Sequence, residues 1–540
     1  MPTPRILYQD IAPAAKIEAR SPTSNDKEDY SDLDNLNLEY LSVPYYTTLE
    51  QNDWLLDGGH PLFPSNPTAY RWGYVSDTIS GADGTFETPP YVDITFESVQ
   101  SSVALTLDFD PNRDEWSDVR ITYIQRGTTI LEQEYQPDNY QYCCIARAVN
   151  YDEVKIEFLK TSHPYRRARL AVIYYGIIRT FDTDVLTAVS ALEEINVISA
   201  ELSVNTMTFS VVDSSDINFL FQKMQLIQLL YGNSLIGSYF IESATRTGSK
   251  KWEVETQDSV GAMDYYSFRG GIFEKKNAKE LVDEVFADVN LPYELDKSYY
   301  DEVISGYIPY GSVRESLLRI AFALGAVVDD ARGDTIYISP PREDDPIVFD
   351  EDSVHLDDST EIQQLVTRVE VTAYIYSKSD ETEQILSATL PVGESEVRCD
   401  TPFYGYTITG ATITESGETY VKFNVTTAGT VTITGKKYSE STVVYSKSNP
   451  DTALFDVDNV VSCSDCQLVN VDNVNDVLER VYNYATSAQT VNGTLILGSA
   501  KVGDIVTVPT SYSGTVTGRI VSNKLSFGSK LRGEVSIRVG

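Results

Sequence analysis

The sequence predicts a mainly β chain with α+β inserts, and three observations point there. Its 36 Tyr, set among abundant Val and Thr, favour pleated, half-buried surfaces. Short runs of alternating apolar and polar residues recur along most of its length, punctuated by Gly, Pro, Asn and Asp. At 540 residues the chain exceeds what one core supports and divides into roughly three to five domains.

Residues 1–45 are polar and acidic ("SPTSNDKEDYSDLDN") and read as an N-terminal arm or a segment ordered by its neighbours. From 46 to 180 the runs "YVDITFESV", "VALTLDFD", "VRITYIQRGTTILEQEY" and "EVKIEFL" have the spacing of an antiparallel β-sandwich. A curled sheet or small barrel follows over 181–268. Its apolar phase slips by one residue between Val204 and Met207, which predicts a bulge around Asn205 and Thr206. Gly232-Asn233 is a two-residue hairpin turn, and Trp252, Val254 and Thr256 share one strand face.

An α+β insert occupies 269–345. Its first helix starts at an Asn277 cap with Glu280 at the third position and carries Leu281, Val282, Val285, Phe286 and Val289 on one face. Its second helix opens on a Ser312–Glu315 capping box, buries Val313, Leu317, Ile320, Ala321 and Leu324, and stops at Gly325. "AVVDD" and "TIYIS" then form a hairpin around "ARGD". A linker and returning strand span 346–384, a Thr-rich small β domain 385–445, and a helix plus a last β segment 446–540. That last segment, "VSNKLSFGSKLRGEVSIRV", resembles "IESATRTGSKKWEVET" around Gly-Ser-Lys turns at 528–530 and 248–250. The likeness reads either as a duplication or as turn chemistry recurring in a β protein.

The formal charge of -38 excludes a strong grip on nucleic acid, which needs clustered cations, and suits a surface that repels DNA or simply stays soluble. No apolar signal-peptide core follows the first methionine, and the longest apolar run, "LAVIYYGII", falls short of the ~20 residues that span a bilayer. Five cysteines, an odd number, argue against a disulfide framework.

Chemical motifs are sparse. His60, His163 and His355 stand apart in polar settings. Cys463 and Cys466 form a single Cys-x-x-Cys without further ligands for zinc. Asp108, Asp110, Asn112 and Asp114 alternate as calcium ligands do, yet Arg113 replaces the glycine of such a loop and no terminal Glu follows, so an acidic strand-end loop is the plainer reading. Trp54, Trp72 and Trp116 have the shape to stack on sugars, or to fill a sandwich core. No catalytic residue and no cofactor is expected, although a pair of glycosidase carboxylates is set by spacing in the fold and leaves no sequence motif.

From "PYRRARLAVIYYG" through "GNSLIGSYFIESATRTGSKKWEVETQDSVGAMD", "AKELVDEVF", "SGYIPYGSVRESLLRIAFALGAVVD" and "LVTRVEVTAYIY", the order of parts resembles the tail-tip or baseplate hub proteins of phages and prophages. These are related in fold to contractile baseplate hubs and type VI secretion spikes. The preceding sandwich resembles galactose-binding-like modules. The resemblance implies two tube-like β-barrel domains per chain, a homotrimer offering six barrels to a sixfold tail tube, and a threefold face for a spike or fibre. It implies a place at the tail tip of a virion made in a bacterial cytoplasm, with tube or distal-tail ring proteins, spike or fibre proteins and the tape measure protein as partners. DNA would pass through the ring during ejection without specific binding. Two other roles compete: a carbohydrate-binding protein that attaches to host surface glycans, and a peptidoglycan or glycan hydrolase.

Overall fold

The computed structural model describes residues 2–11, 19–29, 31–37, 50, 73–109, 115–212, 221, 223–452, 458–486, 489–512 and 514–539. The described chain is mainly β with few helices, and it forms two compact units, Leu7–Thr180 and Phe181–Gly540 with Met1–Ile6.

In the Leu7–Thr180 unit a sheet runs in the order Ala19–Ser24, Tyr91–Asp108, Gln141–Thr161, Ser117–Gln125, Thr128–Tyr135, with Val172–Tyr174 also paired to Tyr91–Asp108. Ala19–Ser24, within the N-terminal segment, is ordered by its pairing with Tyr91–Asp108. Alternation along these strands sends Ile94, Leu107, Tyr123, Ile156 and Phe158 into one core. Tyr74, from the separate pair Tyr74–Ile79 and Arg167–Leu170, stacks on Phe158 with ring centroids 5.1 Å apart.

The larger unit is built on ten strands that share one sheet: β1 (Leu186–Glu194), β2 (Thr206–Val212), β3 (Leu226–Tyr231), β4 (Ser234–Arg246), β5 (Lys251–Gln257), then β6 (Val354–Ile362), β7 (Gln489–Ile496), β8 (Ile505–Thr510), β9 (Gly514–Phe527) and β10 (Leu531–Val539). Tyr231 pairs with Ser234 across Gly232-Asn233, and Gly232 takes the positive φ of 63° that this two-residue turn demands. The bulge expected at Asn205 and Thr206 is absent. Pairing of β2 with β5 is unbroken from Thr206 to Val212, and the phase slip arises because Leu202 and Val204 precede the strand.

Between β5 and β6 lies the insert. Asn277 accepts from the Glu280 N–H to cap α1 (Ala278–Val285). Ser312 and Glu315 close a reciprocal capping box on α2 (Val313–Leu324), and Gly325 ends it at φ 76°. Val327–Asp329 pairs with Ile336–Ser339 around the Ala331–Asp334 turn. The insert's core reaches beyond 269–345: Leu281, Leu317 and Ile320 pack with Val369, Val371, Leu468 and with Val477 and Val481 of α3 (Val474–Thr486). Two long strands, Arg368–Leu390 and Gly429–Ser448, run from this core into a small β domain centred on Phe423, Val425, Val431 and Ile433.

Candidate functional site

β1–β5 and β6–β10 are the same module twice. Within each, the order across the sheet is first, second, fifth, fourth, third strand, every pair antiparallel. Around the bulge of the fourth strand the match holds at single-residue register. Leu226 faces Phe240 where Ile505 faces Arg519, and the fourth strand bulges between Ile241 and Ser243 in one copy and between Ile520 and Ser522 in the other. Burial follows: Ile227, Leu229, Val254 and Thr256 are buried, as are Val506, Val508, Val535 and Ile537. Thr247 N–H bonds Lys251 O around one Gly-Ser-Lys turn, and Phe527 pairs with Leu531 around the other. Counted from the bulges, the second hairpin is one residue pair longer, so the two turns are equivalent although their residues sit at shifted registers.

The modules join at a seam. β1 pairs antiparallel with β9, Ala191 facing Leu525, Leu192 facing Lys524, Glu193 facing Asn523 and Glu194 facing Ser522, and the Ile195 N–H continues to Val521 O at 3.0 Å. First strand thus meets fourth strand, a head-to-tail step.

A buried polar cluster locks this seam to the insert. Glu193 is 1% exposed; Asn523 Nδ2 donates to its Oε2 at 2.9 Å, and Arg332 binds both its oxygens. Burial pushes the Glu193 carboxyl above its usual range, and the Arg332 guanidinium opposes that. Arg332 sits in the Ala331–Asp334 turn at φ 63°, a strained value for a side chain of its size. The same turn accepts from Lys501 Nζ at Ala331 O and from the Ser238 N–H at Gly333 O, so it touches both modules. One residue earlier, Asp330 accepts from Asn205 Nδ2 at 2.9 Å and the Ser259 N–H at 2.9 Å, and Asp258 accepts from the N–H groups of Asn205 and Gly261. Burial, then the Asp330 charge, raises Asp258 well above the ordinary carboxylate range. Burial raises Asp330 too, though its bond from Asp258 pulls the other way. Two buried carboxyls in contact retain a proton between them. The far side of the insert is tied to the second module by Arg342, which donates to Asp329 at 2.5 Å and Asp504 at 2.8 Å.

The residues singled out from sequence are scattered. Trp54, Trp72, His60, Asp110, Asn112 and Asp114 lie outside the described residues. Trp116 is half-buried and packs on the sandwich core, and Asp108 is buried at a strand end. His163 and His355 are exposed. Cys463 and Cys466 line a cleft of about 290 Å³ with Arg319 and Phe322; Cys466 donates to Arg319 O, and burial pushes its thiol up to about 11, away from the thiolate that metal binding or redox exchange needs. Among the described residues no group of three or more His, Cys, Asp and Glu is placed to hold a metal. The seam cluster was not foreseen: the Glu193, Arg332 and Asn523 side chains come from far-separated segments, and no local pattern announces them.

No family model and no curated protein matches the chain. Its structural neighbours include tail proteins of bacteria and prophages. A tail protein from Neisseria meningitidis is similar at 8% identity and a TM-score of 0.44, over 67% of this chain and 93% of that one. The 43 kDa tail protein of prophage MuSo2 from Shewanella oneidensis is similar at 9% identity and 0.42, over 66% and 95%. Prophage tail protein gp18 from Listeria monocytogenes follows at 10% and 0.39, over 66% and 91%.

Proposed function

We propose that the chain is a structural hub of a phage tail tip or tail-like particle, a trimeric ring that adapts a sixfold tube to a threefold spike or fibre. The observation that carries this reading is the five-strand module, repeated with one strand order and a shared fourth-strand bulge and joined head to tail within one chain. Repeating a head-to-tail step closes a ring or runs on as a filament. Three chains then supply six near-equivalent modules, which reconciles sixfold and threefold neighbours without a second gene product. The charge of -38 supports a wall along which DNA slides without sticking. The Leu7–Thr180 sandwich is assigned to fibre or host-surface contact, and no catalytic role is assigned to any residue.

Solution mass tests the reading. The purified chain is expected at three times 60.2 kDa by light scattering at micromolar concentration. A monomer under those conditions overturns the ring. Turbidity loss on purified cell walls would instead favour the hydrolase.

A further inference from the structure

The seam inside the chain is a template for a seam that the chain leaves open. β6 is the module-two counterpart of β1, and it stands at the end of the sheet; among the described residues no strand pairs its outer edge. β4 is the counterpart of β9, and β3 stops covering it at Phe240. Beyond the Ile241 contacts with Met224 and Gln225, no described strand covers the outer edge of Ser243–Arg246. Burial records the missing partners. Glu193, Asn523 and Leu525 are 1%, 0% and 1% exposed in the closed seam. Their counterparts are Ile362, Ala244 and Arg246: Ile362 is 82% exposed, Ala244 half-buried and Arg246 exposed. An isoleucine that open, on a strand with a free edge, is a site for pairing with another chain.

We propose that the Thr360–Gln363 edge of one copy pairs antiparallel with Ser243–Arg246 of a second copy of this chain. The register is the closed seam's own: Thr360 opposite Arg246, Glu361 opposite Thr245, Ile362 opposite Ala244 and Gln363 opposite Ser243. The chemistry suits it. Where the internal seam sets Glu193 against Asn523 under the insert's Arg332, the open edges offer an apolar pair, Ile362 on Ala244, which needs no insert to neutralise it. Gln363 and Ser243 take the places of Glu194 and Ser522, again two polar side chains. The proposal rests on the ring reading and adds its contact surface.

Cross-linking tests it. Directly opposed residues of antiparallel strands stand ~4.5–5.5 Å apart at Cα, within reach of a disulfide. The Ile362→Cys, Ala244→Cys double variant, mildly oxidised, is expected to give a non-reducing ladder that stops at three chains, absent from either single variant. Ile362→Asp is expected to lower the assembled fraction at least tenfold with unchanged circular dichroism. An assembly of three chains without cross-links, untouched by Ile362→Asp, overturns this interface and leaves the ring standing. A monomer in the unmodified chain overturns both. A ladder running past three keeps the interface and overturns the three-copy count.

Discussion

Glu193 and Asn523 face each other across the seam between the two modules, Asn523 Nδ2 donating to Glu193 Oε2 at 2.9 Å while Arg332 of the insert binds the same carboxylate. One carboxylate thereby holds both modules and the domain between them. Removing it leaves a guanidinium that is 13% exposed without its partner. Glu193→Ala is expected to destabilise the larger unit by about 3 kcal/mol or more, because a buried charge left unpaired costs more than the pair contributes. Glu193→Gln together with Arg332→Met should recover part of that loss. Urea titration followed by circular dichroism measures both, and a neutral Glu193→Ala would contradict the role given to the cluster.

The Asp258–Asp330 pair makes a pH prediction of definite sign. Both carboxyls are raised above their ordinary value by burial. The unfolded chain loses these protons above about pH 4, whereas the folded chain keeps at least one, so the folded state binds more protons and this contribution to stability falls as pH rises. Asp258→Asn is expected to flatten that part of the profile. From pH 5 to 8 the melting temperature of the unmodified chain should fall relative to that of the variant; a constant gap would place the proton elsewhere.

The second insert helix depends on its two ends. Ser312→Ala removes an acceptor from the Glu315 N–H and is expected to cost about 1 kcal/mol. Gly325→Ala should cost more, since the position has φ 76° and a Cβ there would lie 2.6 Å from Arg480 Nη1. Equal effects from the two substitutions would contradict the packing of Arg480 beneath the helix end.

Gly533 tests how tightly the seam is built. It occupies the place that Trp252 takes in the first module, and a Cβ there would meet Asn523 Oδ1 at 2.0 Å and Leu497 Cδ1 at 2.8 Å. Gly533→Ala is expected to displace Asn523 and destabilise by about 1–3 kcal/mol, the range for overpacking a filled site. Trp252→Gly removes a large side chain from the free edge region instead, and hydrogen exchange should show loosening confined to β4 and β5.

What the sequence disclosed was local. The Ser312–Glu315 box, Gly325, the Asn277 cap and the Gly232-Asn233 turn each depend on residues within a few positions, and each forms as its chemistry requires. The paired Gly-Ser-Lys turns hinted at a duplication, but the other strands hid it. β1 and β6 carry register breaks at different places, between Leu186 and Ala188 and between His355 and Ser359, so their alternation does not align. Phe209 and Trp252 are replaced by Gly493 and Gly533, which erases the apolar pattern, and Gly533 leaves room for the seam's Asn523. Asn205 was misread because a chain entering a strand shifts phase as a bulge does. The insert's true extent was hidden because α3, which completes its core, lies beyond the small β domain in sequence.

Two equivalent modules lie in one chain, and the proposed ring sets three chains, hence six modules, around one axis. Electron microscopy of the isolated protein decides between this and other arrangements. Class averages with a threefold ring, six similar lobes and an open centre are expected. Averages showing single chains, or a ring whose lobes do not number six, would contradict the proposed ring.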